Sequence, residues 1–282
     1  MHTPILSMLL CAVLPSQEPV TGGDARLVAW EKRVELQSSS PFKELQWQAL
    51  GPKFCGGRIE AVDCPSGSAG TIYAGVGAGG VFKSTNGGLS WEPIFAQEST
   101  YAVGDVEVSR ARPELVWVGT GEAHLSGTSY EGTGVFKSTD GGDSWNNMGL
   151  HDSAHIGKVV AHPTDPDLVY VAAIGPRHDP AGERGVYRSK DGGVSWERVL
   201  HVGERVGIID LVMDPSDPAR LWATSCCTAA TAGSAQSGPT VSPRLRLRLQ
   251  SGRRGAVSSM TMTAYCAQRR RYRRSNTKRV RA

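Results

Sequence analysis

Residues 134–147 read GVFKSTDGGDSWNN, and the chain says nearly the same thing at 80–93 (GVFKSTNGGLSWEP) and at 185–198 (GVYRSKDGGVSWER). Each copy opens with a β-branched and aromatic run suited to a strand, then places Ser, an Asn or Asp, paired glycines and a tryptophan at fixed offsets. Ser84, Ser138 and Ser189 offer hydroxyls, while Asn86, Asp140 and Asp191 can accept backbone N–H bonds as Asx turns. The glycine pairs, which include Gly88, Gly142 and Gly193, permit positive φ. The tryptophans that follow, Trp91, Trp145 and Trp196, lie 54 and 51 residues apart, and their rings are expected to drop between neighbouring sheets.

Outward from the phrase the chain falls into a four-part unit. RIEAVDC, TIYAGVG, GVFKST and SWEPIF form the first copy, and DVEVSR, ELVWVGT, GVFKST and SWNNMG the second. KVVAHP, DLVYVAA, GVYRSK and SWERVL form the third, and a fourth opens with IIDLVMDP and ARLWATS. Tyr73, Trp117, Tyr170 and Trp222 take equivalent places. A four-stranded antiparallel sheet cannot bury both faces alone, so successive copies are expected to stack radially. The fold expected is all-β: a partial β-propeller over residues 46–224, three blades complete and a fourth begun.

Composition agrees. With 34 glycines and 7 tryptophans in 282 residues, and 39% apolar residues, the chain reads as turns punctuating short apolar strands. The formal charge of +4 hides two populations: residues 1–224 hold 18 of the 31 basic side chains and all 27 acidic ones, a formal −9. The first residues, MHTPILSMLLCAVLPSQEP, resemble a secretory signal over 1–19, against the alternative of a disordered or buried N-terminus, and place the chain outside the cytoplasm. No run reaches the roughly 20 apolar residues of a membrane span. In 20–45, Asp24 can cap a short helix over Ala25–Gln37 with a modest stripe from Leu27 and Val34. Of the six cysteines, Cys55 and Cys64 can pair after export, and none has zinc spacing, so neither a metal nor a cofactor is called for.

Residues 225–282 abandon the repeat. They carry 12 arginines, one lysine and no acid. Such runs can bind phosphate backbones, but nucleic acid is the weaker reading. A basic, disordered extension produced by a slip of reading frame near Ser225 explains better why every repeat feature stops at one point.

The pattern Ser-x-Asp-x-Gly-x-x-Trp resembles the Asp box, or BNR repeat, of sialidases, sortilin-type receptors and xyloglucan hydrolases. The wider unit, with PTDPDLVYV at 163–171 and GTGE at 119–122, is similar to sortilin-type or glycosyl-hydrolase-like secreted bacterial proteins over about residues 47–224. The resemblance implies that the box residues are structural and that ligands meet the opposite, loop-rich end. There the chain offers Arg58, Tyr101, Glu122, His124, Tyr130, His155, Arg177, His178 and Arg184 as rim candidates. Glu122 and Glu183 are the candidate acids for a glycosidase, which needs carboxyls about 5–5.5 Å apart for retention or about 6.5–9.5 Å for inversion. In the xyloglucan hydrolases an early blade carries a phrase like TDIGG whose Asp is catalytic; the phrase here is VGAGG, with Gly77 in the acid's place. The leading expectation is therefore a binding or assembly module for a peptide, protein or glycan, and the alternative is a glycoside hydrolase acting on polysaccharide.

Overall fold

Strands form where the repeat puts them. The structure, a computed structural model, describes residues 22–45, 57–68, 70–126, 128–227, 240–248 and 263–265. The signal-like segment 1–19 and Cys55 lie outside the described residues, as does the remainder of the basic extension. The first blade contains β1 (Ile59–Asp63), β2 (Ile72–Val76), β3 (Gly80–Ser84) and β4 (Glu92–Pro93). The second contains β5 (Val103–Val108), β6 (Val116–Thr120), β7 (Val135–Ser138) and β8 (Asn146–Asn147). The third contains β9 (Ile156–Ala161), β10 (Val169–Ala173), β11 (Gly185–Ser189) and β12 (Glu197–Leu200). The fourth contains β13 (Val206–Asp214), β14 (Asp217–Cys227), β15 (Thr240–Arg248) and β16 (Thr263–Tyr265). Each set is a four-stranded antiparallel sheet in chain order, and β1, β5, β9 and β13 succeed one another as innermost strands of a partial propeller.

The apolar cores lie between blades rather than within them. Tyr73, Val81, Val106 and Phe136 fill the space between the first two. Trp117, Val135, Ile156 and Val171 fill the second gap, and Tyr170, Leu211 and Leu221 the third. In blades two and three, alternation along each strand sends one set of side chains to the preceding blade and the other to the following one, so both faces are buried.

Hairpin chemistry closes each complete blade. Ser138 Oγ donates to Asp140 Oδ1 at 2.7 Å and accepts the Gly142 N–H at 2.7 Å, while Asp140 Oδ1 accepts the Ser144 N–H at 2.9 Å. Ser189, Asp191, Gly193 and Ser195 repeat the arrangement within 0.1 Å, and Ser84, Asn86, Gly88 and Ser90 make it with an amide in place of the acid. The Ser144 and Ser138 hydroxyls hold Asp140 well below the usual carboxylate range. Gly142 has φ +98°, which requires glycine, and a Cβ there would lie 2.5 Å from Ile94 Cδ1 of the preceding blade.

The tryptophans reach backward. Trp145 Nε1 donates to Ile94 O at 2.8 Å and Trp196 Nε1 to Met148 O at 2.6 Å, each across to the blade before. In return, Tyr73 Oη and Lys83 Nζ both donate to Gly141 O at 2.8 Å, and Lys137 Nζ donates to Gly192 O at 2.8 Å. Trp91 has no described blade before it: it is 40% exposed, and its Nε1 turns to Gly88 O of its own hairpin.

Two sequence expectations need correction. The helix α1 spans Gly23–Ser39, one turn's edge earlier than Asp24 capping implies; Gly22 is the N-cap and makes no side-chain bond. Asp152 of the third blade's entry loop caps it instead, accepting the Gly23 N–H at 2.8 Å, and Asp24 turns to His151 Nδ1 at 2.7 Å. The expected stripe does not bury, since Val34 is exposed; polar ties from Arg26 to Glu131 Oε2 (2.6 Å) and Gly132 O (2.7 Å) hold the helix. The second concerns the extension expected to be disordered: 240–248 pairs with β14 as β15, and 263–265 with β15 as β16. The sequence RLRLR at 244–248 alternates with period two, which is strand periodicity whatever the charge.

Carboxylates from the innermost strands bridge neighbouring blades. Asp63 Oδ2 accepts the Val108 N–H at 2.7 Å, Asp105 Oδ2 the Val159 N–H at 2.8 Å, and Lys158 Nζ meets Asp105 Oδ1 at 2.8 Å. Burial, then the charge of Asp63, pushes Glu107 up to about 7, Lys158 offsetting only part. Burial likewise pushes Asp105 up to about 6 despite Lys158.

Two outcomes are expected. Trp145→Phe loses the bond to Ile94 O and costs about 1 kcal/mol, whereas Trp91→Phe leaves stability nearly unchanged; paired denaturant midpoints check this. Between its ordinary 4.5 and about 7, Glu107 binds more proton in the folded than in the unfolded chain, so its contribution to stability is present below pH 4.5 and is lost as pH rises through 7. Glu107→Gln should flatten that loss in melting curves taken from pH 5 to 8.

Candidate functional site

At the loop-rich end of the first two blades, five rim candidates come together around one guanidinium. Arg58 enters β1, and its Nε meets Glu60 Oε1 while Nη2 meets Glu122 Oε2 and donates to His124 O at 2.9 Å. His124 Nδ1 lies 2.5 Å from Glu60 Oε2. The Glu60 side chain is fully buried and that of Glu122 nearly so, whereas Arg58 is 43% exposed. Glu122 Oε1 accepts the Tyr130 N–H at 3.0 Å, which fixes the loop so that Tyr130 meets Tyr101 edge-on, centroids 5.4 Å apart. Both tyrosines remain half exposed.

Glu60 was not legible as a site residue, because RIEAVD reads as ordinary strand. A bulge between Ile59 and Ala61 breaks the alternation and frees Glu60 to turn toward the loop end. A Cβ on Gly77 would lie 3.0 Å from Glu60 Oε1. The space beside Gly77, where the resemblance puts an acid, is thus occupied by the carboxylate of Glu60.

Two rim candidates are corrected to structural roles. His155 and Arg184 are each only 1% exposed. Blade-top carbonyls lack strand partners and need donors, and these side chains supply them: His155 Nδ1 lies 3.0 Å from Glu122 O, and Arg184 Nη1 donates to Ile174 O at 2.7 Å and Nη2 to Asp179 O at 2.5 Å. Burial, and the positive charge of Arg26, Arg177 and Arg184, pull His155 down to about 4, so it stands neutral and donates from Nδ1.

The remaining candidates sit on the third blade. Arg177 is half-buried and His178 exposed. Burial pushes the Glu183 carboxyl up, and its Oε2 accepts the Asp152 N–H at 3.1 Å. Glu122 and Glu183 share no partner: the first belongs to the Arg58 cluster, the second to the loop that caps α1. Among the described residues no group of three His, Cys, Asp or Glu is arranged for a metal ion, and no helix is long and apolar enough to cross a membrane.

A cleft of about 300 Å³ separates α1 from the loops of blades one and two. Arg26 and Arg33 line its helix side, and Glu98, Tyr101, Tyr130 and Glu131 its blade side. Glu98 lies in the link AQESTYAVG, and nothing in its local sequence distinguishes it from a solvated loop acid.

No protein-family model matches the chain. It is 31% identical over 163 residues to the probable oligoxyloglucan-reducing end-specific xyloglucanase of Neosartorya fischeri, covering 54% of this chain and 18% of that protein. It is 34% identical over 132 residues to a xyloglucanase of a Paenibacillus species, covering 45% of this chain and 12% of that one. The chain therefore spans less than a fifth of the curated relatives it matches. Among solved structures, an ancestral GH74 enzyme superposes with a TM-score of 0.53 at 18% identity, over 74% of this chain and 25% of the other, a likeness of fold. The two xyloglucanase relatives favour the glycoside-hydrolase alternative over the peptide-, protein- or glycan-binding or assembly reading that led in the sequence.

Removing Arg58 strands two buried carboxylates. Arg58→Met is expected to cost on the order of 2 kcal/mol, below the range for a fully buried partner because the guanidinium is half exposed. Adding Glu60→Gln should recover part of it, a coupling measurable in a double-mutant cycle of urea midpoints.

Proposed function

We propose that this chain is part of an exported, polysaccharide-acting propeller of the xyloglucan-hydrolase kind, and that the loop end of blades one and two holds the glycan. The observation that carries the reading is the pair of half-exposed rings, Tyr101 and Tyr130, beside the exposed donors Arg58 and His124 and above their buried carboxylate supports. A sugar ring offers apolar C–H faces to an aromatic and hydroxyls at its edge to polar donors, and this surface presents both. The 31% and 34% identity to xyloglucanases supports xyloglucan as the glycan to try. The Ser/Asx/Gly/Trp hairpins support the Asp-box reading of the scaffold, with their acids held by backbone and hydroxyl donors at the other end.

Affinity electrophoresis in gels containing xyloglucan tests the reading. The chain should be retarded, and Tyr101→Ala with Tyr130→Ala should weaken retardation about tenfold, the equivalent of roughly 1.4 kcal/mol. Mobility unaffected by the polysaccharide, or equal retardation of the double variant, would refute it. Retardation by an unrelated peptide ligand at the same surface would restore the peptide-binding alternative.

A further inference from the structure

We propose that the fourth blade of one copy of this chain docks on the first blade of a second copy, and the reverse, so that two copies close into one ring. The inference is independent of the glycan reading and concerns the two ends of the arc of blades rather than its loop-rich end.

Each internal gap is made in the same way: the rear face of a blade receives the front face of the blade before it. The innermost strands show this residue by residue, because all four carry the same bulge in the same register. Val103 and Val106 in β5, Ile156 and Val159 in β9, and Ile208 and Leu211 in β13 pack against the preceding blade and are at most 1% exposed. Ile59 and Val62 hold the same two places in β1 and are 62% and 60% exposed. The first hairpin is uncovered as well. Gly141 O and Gly192 O each accept from a lysine of the blade before, but no side chain among the described residues donates to Gly87 O. A Cβ on Gly142 or Gly193 would meet the blade before it at 2.5 or 2.9 Å, whereas one on Gly88 would meet only Trp91 of its own turn.

The other end of the arc carries what this face lacks. Register puts Asp210 of β13 in the place of Asp105, Val212 in that of Glu107 and Trp222 of β14 in that of Trp117. Asp105 and Trp117 are buried against the third blade, Asp105 accepting the Val159 N–H. Asp210 and Val212 are exposed instead, Val212 by 53%. Val62 of a second copy stands where Val159 stands, so its N–H suits Asp210, and its side chain with that of Ile59 suits Val212 and Trp222. Arg246 of β15, opposite Trp222, occupies the step from which Lys83 and Lys137 reach the next glycine turn, the counterpart of Gly87 O.

Val62 and Val212 are exposed at once, so one arc of four blades does not close on itself. Two arcs bring the count to the upper end of the roughly 4–8 blades of closed propellers. Each junction pairs unlike faces, and a single two-fold rotation makes both and leaves neither apolar face open.

Sedimentation velocity of the full chain over a range of concentrations tests the proposal. The wild type is expected to form a dimer, twice 30.1 kDa. Val62→Asp and Val212→Asp change exposed positions outside the internal gaps. Each should raise the concentration for half-dimerisation on the order of a hundredfold, since it places an unpaired carboxylate in both junctions. Mixing the two variants should restore a dimer, because one junction then joins an unaltered front to an unaltered rear. Where either variant melts without cooperativity, Ile59→Asp or Asp210→Lys takes its place. A wild type that stays monomeric overturns the proposal, as does a mass that climbs past the dimer. Loss with Val62→Asp but not with Val212→Asp also overturns it and points to two first blades meeting face to face. Absence of recovery on mixing has the same force.

Discussion

The contact between one blade's Gly–Gly turn and the strands of the blade before it governs this structure. Gly141 O packs against the preceding blade and takes two donors from it, Tyr73 Oη and Lys83 Nζ. Trp145 returns a donor to Ile94 O, and its ring meets Phe95 edge-on at 5.2 Å. Each hairpin tip therefore takes part of its polar partners from its predecessor, and leaving any of these unmade inside the gap carries the desolvation cost of a buried polar group. A blade is not an independent folding unit; stability accrues at the gaps, as in other stacked repeats. The first blade shows the converse, with Trp91 folded back on Gly88 O and Leu89, Ile59 and Val62 exposed.

This explains what was legible in the sequence. Turn chemistry and strand period are local, so Ser138, Asp140, Gly142 and Trp145 announced the hairpin, and their recurrence announced the sheet. The site depends on which loops the stacking brings together, and no local pattern records that. Glu60 lay in an apparently regular strand and left it through a bulge whose counterparts in blades two and three fall at Gly104 and Gly157. His155 and Arg184 have loop-like neighbours and so read as surface, yet the ends of blades leave carbonyls without partners, and a polar side chain folded inward is how the fold satisfies them. The cap of α1 was misplaced for a related reason: Asp152, 129 residues away from Gly23, displaced the nearby Asp24.

The fourth blade extends the same logic. Tyr73 faces Lys83, Trp117 faces Lys137 and Tyr170 faces Arg188 across strands two and three, and in the first two blades the cation stands near the ring and reaches the next glycine turn. In the third, Arg188 pairs with Glu197 of its own blade instead. The register of β14 and β15 sets Trp222 opposite Arg246, an aromatic and a cation at the equivalent step. The basic extension thus meets the pairing rule of the sheet by alternation alone, although it carries no Ser/Asx/Gly/Trp hairpin. Strand pairing asks only for period two and a free edge; it does not ask where the residues came from.

At the loop end, carboxylates sort by whether the fold has already given them donors. Glu122 accepts from Arg58 and from the Tyr130 amide, Glu60 from Arg58 and His124, and Glu183 from the Asp152 amide. These groups hold loops in place, and a ligand that recruited them would first have to break a contact the scaffold depends on. Glu98 makes no such contact among the described residues, and burial pushes its carboxyl up. The same reasoning separates the two arginines of the rim: Arg184 is buried on three carbonyls of its own loop, while Arg58 keeps an exposed edge beside His124 and the tyrosines. The surface proposed to hold a glycan and the framework that positions it meet at Arg58, which also engages Glu60 and Glu122, and at Tyr130, whose amide is held by Glu122 and whose ring faces the cleft.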